Sequence, residues 1–212
     1  MNMITILSKS ISHFLLERDI IPREEAEIYQ YGFETIISTV LGFLIIASLG
    51  ILFHMFWLAL LYYAVFVFLR QLTGGYHADT YFRCNFTFAI LSGTLFGVTR
   101  LLNECESYSL LMHGLLLSFS VLVIAVYAPV ENPYKPLDEK QMKQNRKYSL
   151  IMSGIIGVLS VLIYPISSML TIMLGLTLFL IAMLILIVKI QERGKSHEQA
   201  SDTGDEEGSC SS

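Results

Sequence analysis

The run IISTVLGFLIIASLGILFHMFWLALLYYAVFVFL, residues 36–69, decides the fold of this chain. Its 34 residues include no Asp, Glu, Lys or Arg, and its only histidine is His54. A helix needs about 20 residues to cross a hydrocarbon layer of about 30 Å, so the run is too long for one span. The apolar pattern is interrupted between Gly50 and His54. We therefore predict two spans joined by a tight helical hairpin at that point.

Four further apolar blocks follow this run. The whole chain of 212 residues is 54% hydrophobic, with a mean hydropathy of +0.59, which is more apolar than a soluble domain of this length. The sequence predicts an all-α polytopic membrane protein, built as a single membrane-embedded domain over residues 1–190. Its six transmembrane helices are expected at about 36–53, 55–69, 85–102, 110–127, 149–165 and 169–188.

The two ends of the chain differ from this apolar core. The first 19 residues, MNMITILSKSISHFLLERD, are too polar for the apolar region of a signal peptide and lack a small-residue cleavage site, and residues 1–33 are expected to form an amphipathic N-terminal region. Ile4, Leu7, Ile11 and Phe14 recur at helical spacing, which predicts an amphipathic helix that either lies in the membrane interface or packs on the protein. A second short helix is expected to begin at Pro22. The acidic tail, residues 191–212, has the composition of a disordered segment.

Lysine and arginine are distributed unevenly between the predicted loops. With a cytoplasmic N-terminus, the inner segments 1–35, 70–84, 128–148 and 189–212 hold 13 of the 14 basic residues. The positive-inside rule therefore places both termini in the cytoplasm. The exception is Arg100, which has Glu104 and Glu106 close enough to pair with it. The basic run from Lys140 to Lys147 is interpreted either as an anchor for anionic lipid headgroups or as a surface for an acidic or amphipathic partner.

A polar segment, RQLTGGYHADTYFRC at residues 70–84, lies between the second and third spans. Cys84 follows Arg83 directly, and positive charge favours a reactive thiolate. His77 is the base that such a nucleophile needs. The two residues are seven positions apart, or about 10 Å along a helix, which is too far for direct proton transfer. A working pair therefore requires a bend. Gly74 and Gly75 permit it, and residues 78–83 are expected to fold back or to form a re-entrant piece.

Other polar residues of the segment have two interpretations each. Asp79 either orients the imidazole of His77 or pairs with an arginine. Arg70 either adds positive potential at an oxyanion, to which Gln71 could donate a hydrogen bond, or anchors the end of the span. Cys105 and His113 form a rival pair on the outer side that lacks the neighbouring arginines and glycines. Metal-ligand clusters and nucleotide-binding glycine motifs are absent from the sequence, so we expect no metal, no cofactor and no nucleic-acid partner.

The segment RQLTGGYHA…C, on the cytoplasmic side between the second and third of six spans, resembles the AgrB family of Gram-positive quorum-sensing processing enzymes. The amphipathic N-terminal region, the hydropathy plan and the loop APVENPYKPL extend the resemblance over most of the chain. It implies a membrane cysteine endopeptidase, in the cell membrane of a Gram-positive bacterium, that acts on a small AgrD-like propeptide. His77 and Cys84 match the family's catalytic pair. Arg70, Gln71 and Gly75 match positions that shape its site. A homodimer is left open.

The expected chemistry follows from a cysteine nucleophile. Attack of the Cys84 thiolate on a peptide carbonyl forms a thioester and releases the C-terminal part of the substrate. An internal Cys or Ser of the substrate then closes a thiolactone or lactone ring, the cyclic peptide intermediate for quorum sensing. One alternative is a membrane protease that hydrolyses the thioester without cyclisation. Another is a peptide exporter or scaffold. The spans disfavour the exporter because their ionisable residues, His113 and Arg100, lie near the ends.

Overall fold

The computed structural model describes residues 3–18, 20–74, 81–104, 108–130 and 138–207, without the side chains of residues 3, 81, 82 and 192–207. These residues form a short 3-10 helix, Arg23–Glu25, and seven α-helices. The α-helices are α1 Met3–Glu17, α2 Ala26–Leu52, α3 Phe56–Thr73, α4 Tyr81–Glu104, α5 Leu110–Tyr127, α6 Glu139–Ile163 and α7 Ser168–Glu207. Helices α2 to α7 contain six segments long and apolar enough to cross a membrane. The predicted all-α architecture with six spans is confirmed.

Several helices extend beyond the apolar blocks from which they were predicted. Helical backbone begins directly after Pro22, as expected, but α2 then continues without interruption to Leu52 instead of forming a separate short helix. Likewise α6 begins at Glu139, well before the predicted span at 149. The backbone of α7 stays helical to Glu207, into the tail for which composition predicts disorder. Hydropathy reports the part of a helix inside hydrocarbon, whereas helical hydrogen bonds continue into water.

The chain divides into two compact units. The first comprises residues 1–63 and 77–100, and the second comprises residues 64–76 and 101–212. In the first unit, α1 packs on α2 through two buried serines. The Ser8 hydroxyl donates to Glu34 Oε1 at 3.2 Å, and the Ser12 hydroxyl donates to the Ala26 carbonyl at 3.0 Å. Of the two arrangements left open for the amphipathic helix, the structure therefore shows the one packed on the protein.

The predicted break between the first two spans lies between Gly50 and Met55. The Met55 amide donates to the Gly50 carbonyl at 2.7 Å, and His54 adopts a positive φ of 56°. Arg100 Nη1 donates to the Phe53 carbonyl at 3.4 Å. A cation is favourable at the C-terminal end of a helix, so this basic residue, the one outside the predicted inner segments, has a role in capping α2. Its pairing with Glu104 or Glu106 stays a prediction.

The interior of the second unit contains a histidine that the sequence had placed merely near the outer surface. His113 is fully buried between α5, α6 and α7, with Nδ1 2.8 Å from the Tyr108 hydroxyl and Nε2 2.9 Å from Ser160 Oγ. Ser160 donates its single proton to the Gly157 carbonyl at 2.8 Å, so it accepts from Nε2–H. Nδ1 of the neutral ring then accepts from Tyr108. Burial and the nearby Tyr164 raise the pKa of Tyr108 to about 12, which keeps that proton in place.

Candidate active site

Arg70 and Gln71 lie in the last turn of α3. The Arg70 guanidinium is half-buried and lies 5.7 Å from the ring centre of Phe66, one turn earlier on the same helix. Gln71 is exposed and is rotated away from the buried face that Phe66 and Thr73 share. The structure therefore holds the arginine beside the protein interior and presents the glutamine outward. Their predicted roles at an oxyanion stay predictions.

The chain leaves α3 through a bend at Gly74. Helix α3 ends at Thr73, and Gly74 has a φ of 69°, in the left-handed region that favours glycine. A Cβ at Gly74 would also overlap the main-chain carbonyl of Val130. Two independent requirements, a backbone conformation and a close approach, thus call for glycine here. The predicted turn ahead of His77 is confirmed at this residue.

The segment after α5 holds this bend in place. The Val130 amide donates to the Thr73 carbonyl at 2.9 Å, and Thr73 and Val130 are both almost completely buried. Ala128, which ends α5 by donating to the Ile124 carbonyl at 2.9 Å, is buried beside them. In the sequence, the loop APVENPYKPL and the motif at 70–84 are separate features. Nothing in the local pattern of either segment signals this main-chain pairing.

Cys84 lies at the end of the first turn of α4. Its thiol is free and half-buried. Phe88 and Ser92, four and eight residues later, are buried on the same face, so Cys84 lies along the inward face of α4. Arg83, by contrast, is exposed. Residues 81–83 form the first helical turn of α4. The expectation that residues 78–83 fold back or form a re-entrant piece stays a prediction, because 78–80 lie outside the described residues.

The inward face of α4 packs on the first part of α3. The Tyr62 hydroxyl lies 3.0 Å from Ser92 Oγ, and its ring meets the edge of Phe96 with centroids 5.3 Å apart. The ring of Tyr63 lies tilted against that of Phe88, with centroids 6.2 Å apart. These contacts fix the rotation of α4 about its axis. They therefore also fix the side of the helix on which the thiol lies.

The remaining predicted site residues fall outside the described residues. Gly75, His77 and Asp79 belong to the segment between α3 and α4 that the structure does not describe. Arg70, Gln71 and Gly74 belong to the second compact unit, and Cys84 belongs to the first. The pairing of His77 with Cys84 stays a prediction, as does that of Cys105 with His113, because Cys105 is also outside the described residues. Within the described residues, no group of three or more His, Cys, Asp or Glu could hold a metal ion.

Comparison with known proteins places these features in a family. The sequence pattern that defines AgrB, accessory gene regulator B, matches residues 8–188. An AgrB-like protein of Clostridium perfringens (strain SM101, type A) is 28% identical over 169 residues, covering 76% of this chain and 79% of that protein. A second relative, AgrB-like protein 2 of Clostridium perfringens (strain 13, type A), is 27% identical over the same shares. No solved structure matches the chain.

Proposed function

The chain belongs to the AgrB family, and on that premise we propose that it is a membrane cysteine endopeptidase that cleaves an AgrD-like propeptide. The family is associated with processing of the agr quorum-sensing propeptide, which makes a peptide the expected substrate. One observation carries the assignment of residues. Helix α3 ends at Thr73, and Gly74 has a left-handed φ of 69°, which supplies the turn that a pairing of His77 with Cys84 requires.

Cys84 is the proposed nucleophile. It lies on the inward face of α4 at the end of the first turn, near the N-terminal end of the helix, where the helix dipole places a partial positive charge. That charge and the neighbouring Arg83 provide the electrostatic setting in which a thiolate attacks a carbonyl. His77 removes the thiol proton and returns it to the leaving amine.

The reaction then proceeds through a thioester. Attack by Sγ on the scissile carbonyl forms a tetrahedral oxyanion, and its collapse expels the amine of the C-terminal fragment. The acyl group stays on Cys84. An internal thiol or hydroxyl of the propeptide attacks the thioester, releases the Cys84 thiol and closes a cyclic thiolactone or lactone. Exclusion of water favours this ring closure over hydrolysis.

The supporting residues have proposed roles of their own. Arg70, held beside Phe66 at the end of α3, supplies positive potential for the oxyanion. Gln71 donates its amide N–H to the same oxygen, and Asp79 orients the imidazole of His77. Gly74 and Gly75 shape the bend that carries His77. The active site faces the cytoplasm and both termini are cytoplasmic, following the distribution of basic residues.

Substitution of the two central residues tests the proposal. Membranes containing Cys84→Ser or His77→Ala are expected to leave a co-expressed AgrD-like propeptide uncleaved, as measured by mass spectrometry. Cys210→Ser is the matched control, because it removes a thiol from the tail and is expected to cleave normally. Retained cleavage in either central variant would overturn the catalytic pair.

The mass of the product tests the second half of the mechanism. A cyclic product is lighter by one water than the linear fragment of the same sequence. The wild-type chain is expected to yield the lighter species. A purely linear product would leave the peptidase assignment standing and would reject the cyclisation.

A further inference from the structure

One face of α6 carries a continuous row of exposed side chains along the whole helix. Lys140, Lys143 and Lys147 are spaced by three and four residues, which places them on the same side of the helix. The row continues at the same spacing with exposed apolar residues, namely Ile151, Ile155, Val158 and Leu162. We call the three lysines the α6 lysine row. The α6 lysine row and these exposed apolar residues therefore lie on one side of the helix.

The opposite face of α6 packs inside the second unit. Its buried residues are Ser149, Ser153, Ile156, Gly157 and Ser160. Small residues on this face allow close approach of neighbouring helices, and Ser160 accepts a hydrogen bond from His113. The exposed apolar residues on the other side match a lipid-facing surface. The α6 lysine row thus precedes the lipid-facing residues along the same side of α6 and lies opposite the buried side.

The basic residues of this helix separate into two kinds. Arg146 Nη2 donates to the Ala125 carbonyl near the C-terminal end of α5 at 3.3 Å, so its charge serves a contact within the protein. The three lysines are exposed, and within the described residues none has a hydrogen bond or an ion pair with another side chain. Their ammonium groups are available to an external partner.

We propose that the α6 lysine row binds the headgroups of anionic phospholipids in the leaflet at the N-terminal end of this helix. Lys147 lies one helical turn before Ile151, so the row begins where the apolar surface ends. The row spans about 10 Å along the helix, somewhat more than the headgroup layer, and lysine side chains bend toward the phosphate level. Phosphate oxygens supply the complementary charge. A peptide partner would have to approach from the side that the lipid-facing residues occupy.

Local quenching of a tryptophan by brominated lipids measures this preference directly. Trp57 is the only tryptophan of the chain, and Tyr148, next to Lys147, is half-exposed. The reporter chain therefore carries Trp57→Phe and Tyr148→Trp, and the full chain is reconstituted in phosphatidylcholine vesicles with or without phosphatidylglycerol. Brominated phosphatidylglycerol and brominated phosphatidylcholine are compared as quenchers. The ratio of quenching by the two brominated lipids reports their relative binding near the reporter. This ratio does not depend on peptidase activity, so it stays measurable even if the proposed function is wrong.

The reporter chain is expected to prefer phosphatidylglycerol by tenfold or more, because each basic residue near an anionic surface contributes about fivefold. Substitution of all three lysines by glutamine is expected to bring the ratio close to one. Single Lys→Gln variants are expected to lower it by up to about fivefold each, and they keep the test available if the triple variant does not insert. Arg146→Gln is the control with the same change of charge on the same helix, and the ratio is expected to stay high.

Three results would overturn the proposal. The first is equal quenching by both lipids in the reporter chain, and the second is a preference that survives the triple substitution. The third is a shift of tryptophan emission caused by an acidic peptide in vesicles of phosphatidylcholine alone, without any preference for phosphatidylglycerol. That result would assign the lysine row to a peptide partner. Added salt is expected to weaken the lipid preference, since screening shortens the range of exposed charges.

Discussion

The main-chain amide of Val130 donates a hydrogen bond of 2.9 Å to the carbonyl oxygen of Thr73, the last residue of α3. This bond joins the segment after α5 to the bend at Gly74. Both residues are nearly inaccessible to solvent, so water does not substitute for either partner. The direction in which the chain leaves α3 toward His77 is therefore determined in part by a residue far along the sequence.

Gly74→Ala is expected to abolish most propeptide cleavage. The new Cβ would overlap the Val130 carbonyl. The alanine would also have to adopt a φ of 69°, which L residues rarely adopt. Displacement of the bend by about 1 Å is expected to lower the rate by roughly 100-fold. Gly154→Ala is the control, because a Cβ there meets no atom within 4 Å. Initial cleavage rates at equal membrane content compare the two. A Gly74→Ala enzyme with unchanged rate would contradict the assigned role of the bend.

Val130→Pro is expected to release the bend without altering any predicted catalytic residue. Proline has no amide N–H, so the buried Thr73 carbonyl would lose its partner at a cost of about 1–3 kcal/mol. Val130→Ala keeps the amide and serves as the control. We expect slow amide hydrogen exchange at Val130 in the wild type and a much lower cleavage rate in the proline variant only. Equal rates in the two variants would show that the hydrogen bond does not position the site.

Tyr108→Phe is expected to destabilise the second unit. It removes the hydroxyl that donates to His113 and leaves a buried ring nitrogen without a partner, which costs about 1–3 kcal/mol. Tyr164→Phe removes a hydroxyl that donates to the Tyr108 main-chain carbonyl at 3.1 Å and is the matched comparison. Thermal unfolding in detergent measures both. Because the ring of His113 is buried, Tyr108→Phe is expected to lose more thermal stability than Tyr164→Phe. An equal or smaller loss in Tyr108→Phe would contradict this prediction.

The same tyrosine predicts a dependence of stability on alkaline pH. The pKa of Tyr108 rises from 10.0 to about 12 on folding, chiefly by burial. Its protonated form is thus favoured in the folded state, so this contribution is fully present below pH 10 and is lost as the pH rises from 10 to 12. Thermal unfolding measured across this range should decline less steeply in Tyr108→Phe than in the wild type. Parallel profiles would exclude Tyr108 as the responsible group.

Gly175→Ala is expected to destabilise the packing of α7 against α5. A Cβ at this position would lie 2.8 Å from Cε1 of His113, whose ring is held by hydrogen bonds on both sides. Since the ring has little freedom to move, we expect a loss of about 1–3 kcal/mol. Gly157→Ala, where a Cβ would meet no atom within 4 Å, is the control within α6. Unfolding midpoints compare the two, and an unaffected Gly175→Ala would mean that the ring rearranges.

The transmembrane plan was predictable because hydropathy and helix length are local properties. The run 36–69 is too long for one span, and Gly50–Met55 breaks it where the pattern predicted. The bend at Gly74 was equally accessible, since a working pair of His77 and Cys84, seven residues apart, would require one and glycine tolerates a positive φ. The rotation of Cys84 onto the inward face of α4, by contrast, depends on contacts such as that of Tyr62 with Ser92.

The sequence by itself determined the fold class, the number of spans and the candidate residues of the site, because periodicity, length and residue chemistry act within short segments. Only the tertiary structure decided that the main-chain carbonyl of Val130 lies against Gly74, that His113 is buried between Tyr108 and Ser160, and that Arg100 caps α2. Each of these depends on a contact between distant segments. Local propensity carries no information about such a pairing, which is selected by close packing and by the cost of leaving a buried polar group without a partner.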